Sequence, residues 1–542
     1  MIGAEAIVKC LEKENTEVIF GYSGVAIDPF WNKILDTDIK TVLIRTEQNA
    51  AHCASGYARI SGKVGVCAVT SGPGATNLIT GIATAYADSI PMIAITGQVN
   101  SDMIGSDVFQ EADITGAVES FVKYSYLIRD VNDIPKVFKE AFYIASTGRK
   151  GPVLIDIPFD IQNEEMTEKF AYPETISMRS YKPTVKGNIV QIKKVIKEVE
   201  KAKRPIICVG GGVHLSGATK ELIEFAELND VPVVSTMMGI GAMPSDHPLF
   251  FGMVGNNGKA YANRAMNESD LLLMVGARVA DRAVNRPDLI TENKVMVHID
   301  VDPAEIGKNV GPTIPLVGDI KHIFAEFLAQ DDHADDHKEW IETLRRYKEE
   351  MMTLRAPAAE GFVDPEGFIR ALSRAMDDDA IYVADVGQNQ IWSCAYHIVK
   401  HGRFLTSGGM GTMGYSIPAA MGAKMAAPTK QVVAVIGDGA FQMSMMELAT
   451  MRQYGINIKI VVMKNGFLGM VREHQHYAYN DHYSMVELKG DPDLSLIAAA
   501  YGMGYIKVDG HSDVDSKLSE FLSDDSSCIM EVMVDPMELV KY

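Results

Sequence analysis

Two places in the sequence set an oxygen-bearing side chain at the end of an apolar run. In "VVAVIGDGAFQM" the run leads to Asp438, placed between Gly437 and Gly439. In "IKIVVMKNG" a second run leads to Asn465. An unpaired buried carboxylate is expensive, and two glycines cost backbone entropy, so the arrangement calls for a compensating ligand. A carboxylate at a strand end suits Mg2+, which takes a few protein oxygens and fills its other positions with phosphate oxygens and water. The side-chain carbonyl of Asn465 offers a second oxygen. The flanking glycines let a phosphate-bearing cofactor come close to the backbone. The plain alternative is a tight turn in which Asp438 caps the next helix.

Such residues must be held by strands. Short apolar runs alternate with helical patterns along most of the chain: "EVIFGY", "VGVCAVTSG", "PMIAITG", "PVLIDIP", "PIICVGGG", "PVVST", "LLLMVGA", "VMVHIDV", "IYVADVG", "VVAVIGDG", "IKIVVMKNG" and "CIMEVMV". Most end in Gly, Ser, Asp or Asn, the pattern of parallel strands followed by ligand-facing turns. Ligands in such sheets sit at the carboxyl ends of the strands. Two stretches break the alternation. Residues 163–188 are polar and proline-bearing, and residues 328–365 are charged, partly helical and end in a loop. Both read as linkers. The chain of 542 residues is too long for one core. The reading is therefore α/β, with three doubly wound, mostly parallel-sheet domains at about 1–165, 189–335 and 363–542.

Bulk properties exclude several function classes. The formal net charge of -20 argues against a nucleic-acid or anionic-membrane surface. None of the six cysteines forms a C-x-x-C pair, which disfavours a zinc ribbon or a disulfide framework and fits a reducing compartment. The opening "MIGAEAIVKCLEKEN" reads as an amphipathic helix rather than a signal peptide. No apolar run reaches the roughly 18 residues of a membrane span. A cytoplasmic protein is expected.

The spacing of "GDG", 24 residues and "KN" resembles the thiamine diphosphate motif, with Lys464 in place of its first Asn. The likeness extends over nearly the whole chain. "RTEQNAAH", "SGPGATNLITGIATAYADSIP", "IGSDVFQEADI", "YIASTGRKGPVLIDIP", "HIDVDPAEIGKNV" and "TSGGMGTMGYSIPAAMGAK" are similar to segments of the catalytic large subunits of acetohydroxyacid (acetolactate) synthases. The resemblance implies a transferase. It would decarboxylate pyruvate and join the two-carbon unit to a second 2-keto acid, either pyruvate or 2-ketobutyrate. The three domains would be pyrimidine-binding, central and FAD-binding-like, and diphosphate-binding.

The resemblance also implies roles for particular residues. Asp438, Asn465 and the backbone carbonyl of Phe467 would hold Mg2+. Glu47 would stand against the aminopyrimidine ring of thiamine diphosphate and help to remove the C2 proton, a task for a carboxyl group in an apolar setting. Gly387, Gln388, Gly411, Gly437, Gly439, Ala440, Met443 and Met470 would contact the cofactor, with Met413 as a soft apolar wedge beneath it. Gln110 and Lys123 would act in catalysis, Lys123 by screening two keto-acid carboxylates. Phe109 and His474 would line the substrate channel. In the middle domain, Gly210, Gly211, Gly212, Gly276, Arg278, Arg282, Asp300 and Asp319, with Arg149 from the first domain, would bind FAD. Glu47 and Asp438 would come from different subunits, which makes a homodimer the minimal active unit, with a tetramer and a regulatory small subunit as further assemblies. The product would serve branched-chain amino acid synthesis or acetoin formation.

The chain departs from the family pattern in places. Ser23 and Val25 lie in an altered loop, expected beside the cofactor. Asn389 replaces a frequent His, Asn256 and Asn257 replace Met and His, and Ala280 replaces an acid. His474 stands where biosynthetic members carry Trp. "QVNSDMIGSDVFQEAD" contains no His, which favours ligation over simple decarboxylation. His474, His476 and His482 in "EHQHYAYNDHY" have no typical metal spacing, and a lid over the substrate is the preferred reading of that segment. The competing readings are a pyruvate oxidase or another thiamine-dependent carboligase, and a non-catalytic paralogue that keeps the fold.

Overall fold

A computed structural model describes residues 1–540 except 285, 287–289, 312, 331–335 and 352–357. The expected domain ends at 335 and 542, and part of the 328–365 linker, therefore lie outside the described residues. Three six-stranded sheets fall within the expected ranges. The first is built from β1 (Val18–Tyr22), β2 (Lys40–Leu43), β3 (Gly65–Val69), β4 (Met92–Gln98), β5 (Tyr124–Leu127) and β6 (Pro152–Pro158). The second uses β7 (Pro205–Val209), β8 (Val233–Ser235), β9 (Phe250–Met253), β10 (Leu271–Val275), β11 (Val295–Asp300) and β12 (Ile314–Val317). The third uses β13 (Ile381–Ala384), β14 (Arg403–Thr406), β15 (Val432–Gly437), β16 (Lys459–Lys464), β17 (Gly504–Val508) and β18 (Cys528–Met533). The pairings within each sheet are parallel.

The order of the first sheet is β2-β1-β3-β4-β6-β5, and that of the third is β14-β13-β15-β16-β18-β17, the same arrangement repeated. The middle sheet runs β12-β11-β10-β7-β8-β9. That is the dinucleotide-binding order, with its switch point between β7 and β10.

One core joins the outer domains. Val69 and Ala51 of the first share it with Ala419 and Val462 of the third. The seam is a crossing of helix Glu47–Ser61 over helix Ser416–Ala426. Small residues permit it: a Cβ on Gly56 would lie 1.9 Å from the Ala419 carbonyl oxygen, and one on Gly422 would lie 1.9 Å from that of Cys53. The 163–188 linker is not a loose tether, because Met166, Phe170, Tyr172, Met178 and Tyr181 pack on the first domain. All six cysteines are free and buried. Among the described residues no helix is long and apolar enough to cross a membrane.

Candidate active site

Strands β15 and β16 are hydrogen-bonded neighbours, with Gly437 opposite Met463. Asp438 and Asn465 therefore leave the sheet side by side. Asp438 opens helix Asp438–Ser444 and is buried. Its carboxylate accepts the Gly466 N–H at 2.6 Å and the Gly439 N–H at 3.0 Å. Burial pushes its pKa up to about 6, and no Lys or Arg forms an ion pair with it among the described residues. Asn465 Oδ1 accepts the Phe467 N–H at 3.0 Å, and Nδ2 donates to Gln388 Oε1 at 3.0 Å. A carbonyl oxygen has two lone pairs, so Asn465 keeps one for a cation. A lone buried carboxylate, an amide oxygen and the Phe467 backbone fit the hard-oxygen preference of Mg2+.

Several residues expected to contact the cofactor lie close to this pair. Gly387, at φ 138°, caps helix Gln388–Tyr396. Asn389 Oδ1 would meet a Cβ at Gly387 or at Gly437, so side chains there would fill the approach. The Met413 methyl lies 3.7 Å from where a Gly439 Cβ would be. Ala440 is buried beside it, and Met443 is half-exposed against Gly414. Gly411 takes φ 72°. Its loop is fixed by a residue the sequence reading missed. Asp385, wholly buried at the end of β13, accepts the N–H groups of Gly414 at 2.9 Å and Ser416 at 2.7 Å. Burial raises its pKa to about 6. The signal was present, since Asp385 is also an acid at a strand end.

Beyond β16, segments 466–468 and 486–488 pair, with Leu468 N–H on the Val486 carbonyl at 2.7 Å. Helix Gly469–Tyr479 rises between them, carrying Met470 and, one turn on, an exposed His474. Arg472 and Glu473 bind the C-terminal segment, through the Glu538 carbonyl at 3.1 Å and the Val540 N–H at 2.8 Å. His476 pairs with Asp481. The described residues hold no group of three metal-ligating His, Cys, Asp or Glu, so the three histidines form no metal site there.

The first domain presents the other half. Glu47 follows β2 as the first residue of its helix, half-buried, and its carboxylate accepts Asn77 Nδ2 at 3.0 Å. A Cβ on Gly74 would lie 3.4 Å from Glu47 Oε1, and one on Gly72 would lie 2.9 Å from Cα of Gln110. Glu47 and Gln110 thus flank one glycine turn after β3. Phe109 is 87% exposed and Val25 80%. Lys123 is the correction. It precedes β5, at the amino edge of the same sheet, opposite to Glu47. Its ammonium donates to the carbonyls of Ile144 and Thr147 at the end of helix Ile134–Ser146 and to Tyr181 Oη. Burial lowers its pKa to about 7. A cation satisfies the exposed carbonyls of a helix C-terminus, which is why the side chain turns away from the substrate side.

A second missed residue braces Glu47. Glu447, buried in the third domain, accepts the Arg45 N–H and Asn49 Nδ2, both at 3.0 Å, and the Thr450 hydroxyl at 2.6 Å. No spacing signal links residues some 400 positions apart, so only the fold reveals it.

The middle domain closes a cavity of about 680 Å³ against both neighbours. Arg149, Gly211, Gly212, Gly276, Arg278, Arg282, Asp300 and Asp319 line it, together with Gly411 and Met470 of the third domain. Gly210 does not. It packs beneath Gly276, where a Cβ would lie 2.3 Å from the carbonyl oxygen. Arg149 reaches Glu305 at 3.1 Å, and Arg278 reaches the Ala87 carbonyl at 2.6 Å. The size suits a large ligand, and the switch-point position and three arginines fit a dinucleotide.

Comparison with known proteins gives concordant results. Residues 1–117, 192–328 and 385–532 match the N-terminal TPP binding domain, the central domain and the C-terminal TPP binding domain of thiamine pyrophosphate enzymes. The chain is 42% identical over 548 residues to a probable acetolactate synthase large subunit of Methanocaldococcus jannaschii, covering 99% of this chain and 93% of that one. It is 42% identical over 546 residues to an acetolactate synthase large subunit of Haemophilus influenzae, covering 99% and 95%. Against an acetolactate synthase large subunit of Lactococcus lactis the identity is 41% over 540 residues, covering 99% and 93%.

Proposed function

The chain belongs to the acetolactate synthase large-subunit family of thiamine diphosphate enzymes, and from that premise we propose that it joins two molecules of pyruvate into 2-acetolactate with release of carbon dioxide. The juxtaposition of Asp438 and Asn465 on adjacent strand ends supports this most directly. Asp438, Asn465 and the Phe467 carbonyl would hold Mg2+ and, through it, the cofactor's diphosphate. Gly387, Gly437 and Gly439 leave the backbone open to it, and Met413 and Met443 offer apolar contacts. When bound, thiamine diphosphate supplies the carbon nucleophile and electron sink for decarboxylation. Glu47 holds and moves a proton at its carboxylate, oriented by Asn77. Gln110, at φ 59°, is fixed beside it to contact substrate. Purified chain given pyruvate, thiamine diphosphate and Mg2+ is expected to form 2-acetolactate and carbon dioxide in equal amounts; acetaldehyde, or consumption of an electron acceptor, would reassign it.

A homodimer completes the site in this reading. Large apolar side chains lie exposed on the segments that carry it, Phe109 on one side and Met443, Val471 and Met485 on the other. Exposed apolar groups clustered at a site mark a covered surface. FAD would fill the central cavity. A flavin absorption spectrum of the purified protein, or a gain of activity on adding FAD, tests this. The relatives' name, large subunit, supports association with a smaller subunit, which size-exclusion chromatography of a co-expressed pair would reveal.

A further inference from the structure

A smaller cavity of about 60 Å³ adjoins the central one and is lined by all three domains. The two share Asp88, Lys150, Gly211, Leu215, Met237 and Met238. The remaining polar lining of the small cavity includes Arg59, Arg403 and His214. Three cations thus face one carboxylate, in a protein whose net charge is -20. That carboxylate is already taken: Asp88 Oδ2 accepts Arg59 Nη2 at 2.6 Å, and Oδ1 accepts the Gly409 N–H at 2.7 Å. Lys150 donates to the Leu215 carbonyl at 2.7 Å, which does not neutralise it. His214 pairs with the Ile240 carbonyl at 3.0 Å and is kept neutral by burial, its pKa near 3.

Arg403 is the group left over. It opens β14, in the third domain. Among the described residues its side chain has no ion pair, and its Nε is buried without a hydrogen-bond partner. The Nε of Arg59 is buried and unpartnered as well. Burial, with Arg59 nearby, lowers the Arg403 pKa to about 10, which still leaves it charged at neutral pH. Two guanidinium groups and an ammonium lining one small cavity with a single carboxylate are costly unless an anion meets them. The planar guanidinium forks match the geometry of tetrahedral oxyanions.

We propose that this cavity binds a compact oxyanion of the phosphate class, held by Arg403, with Arg59 and Lys150 contributing charge. The phosphate is either free in solution or the phosphoryl end of a nucleotide lying in the adjoining central cavity. Because the cavity is lined by all three domains, its occupant ties them together, and ligand binding to the folded state raises stability.

The test is thermal unfolding of the full-length chain, prepared without added flavin, titrated with inorganic phosphate while sodium chloride holds ionic strength constant. Phosphate is expected to raise the midpoint saturably. Arg403→Gln should weaken that response about 10- to 100-fold, the scale of one or two hydrogen bonds to a charged partner. Arg403→Lys should keep part of it, and serves if the Gln variant does not fold. ADP separates the two sources. If ADP and phosphate exclude each other, the site takes the nucleotide's phosphoryl group; if their effects add, it takes the free ion. No saturable response to either beyond the chloride control, or an undiminished response in both Arg403 variants, overturns the proposal.

Discussion

The first and third sheets have the same strand order, yet their carboxyl edges are built for opposite tasks. The third edge is a closed holder. Asp385, Asn389, Gln388, Asp438 and Asn465 are fixed by backbone amides and by one another, and all but Asn465 are buried. The first edge is a presenter. Glu47 is half-buried with Asn77 as its amide partner, and Phe109 stands 87% exposed. Repetition of a fold therefore does not repeat its chemistry. One edge fits what a metal and a diphosphate would need, and the other presents a half-buried acid at an open surface.

The largest break in this comparison should come from the holder. Asp438→Ala removes the buried carboxylate proposed to hold the cation, so metal-dependent binding of thiamine diphosphate is expected to be lost. Titration of the apo-protein with cofactor and Mg2+ measures it, and unchanged affinity would take Asp438 out of that role.

Next comes the presenter. Glu47→Gln keeps the acceptor for Asn77 but not the ionisable group, so cofactor should still bind while turnover falls about 10²-fold or more, the scale of a positioned acid or base. Mixing this variant with Asp438→Ala sharpens the comparison. If the edges meet only between subunits, a mixed dimer contains one intact site and activity returns. If they meet within one chain, no mixture recovers any.

A smaller effect tests the brace. Glu447→Gln can keep an oxygen on Arg45 N–H and Asn49 Nδ2 but turns a donor NH2 toward the Thr450 hydroxyl, which now donates to Oε2, a mismatch worth about 1–3 kcal/mol. Stability should fall by that amount and kcat about tenfold, while cofactor affinity holds. A loss of stability with kcat unchanged would limit Glu447 to packing.

These residues also mark what the sequence could show. The interior strands announced themselves as unbroken apolar runs, and β3, β4 and β10 are buried at every position. β5, β9, β12, β14 and β17 escaped, each having at least one position that is not buried. An edge strand faces solvent on one side, so its composition is mixed and carries no run. Site legibility divides in the same way. Asp438 and Asn465 were visible because their setting is local, glycine and strand end. Asp385 shared that signal but serves the backbone of its own loop. Glu447 and Arg403 act across domains, and the turn of Lys123 toward the helix end depends on where residues 144 and 147 come to lie, which no local pattern encodes.

The smallest effect concerns the rim of the holder. His474 stands one turn beyond Met470 on helix Gly469–Tyr479, exposed, with its ring edge-on to Tyr479 at 5.8 Å. Met470 lines the central cavity, and His474 shares its helix face. The two candidate acceptors, pyruvate and 2-ketobutyrate, differ by one methylene, and even a good apolar pocket separates them by only about 1–3 kcal/mol. An imidazole offers less apolar area than an indole and a polar edge that prefers water. The natural chain should therefore discriminate weakly and make mainly 2-acetolactate when pyruvate is abundant. His474→Trp adds apolar surface at an open position without disturbing a buried contact, so it should shift the product ratio toward 2-ketobutyrate by about five- to tenfold, the low end of that free-energy range. A competition assay with both keto acids, on the natural chain and the variant, decides it. Strong preference for 2-ketobutyrate in the natural chain, unchanged by Trp, would mean that another neighbour, Met470 first among them, shapes the pocket.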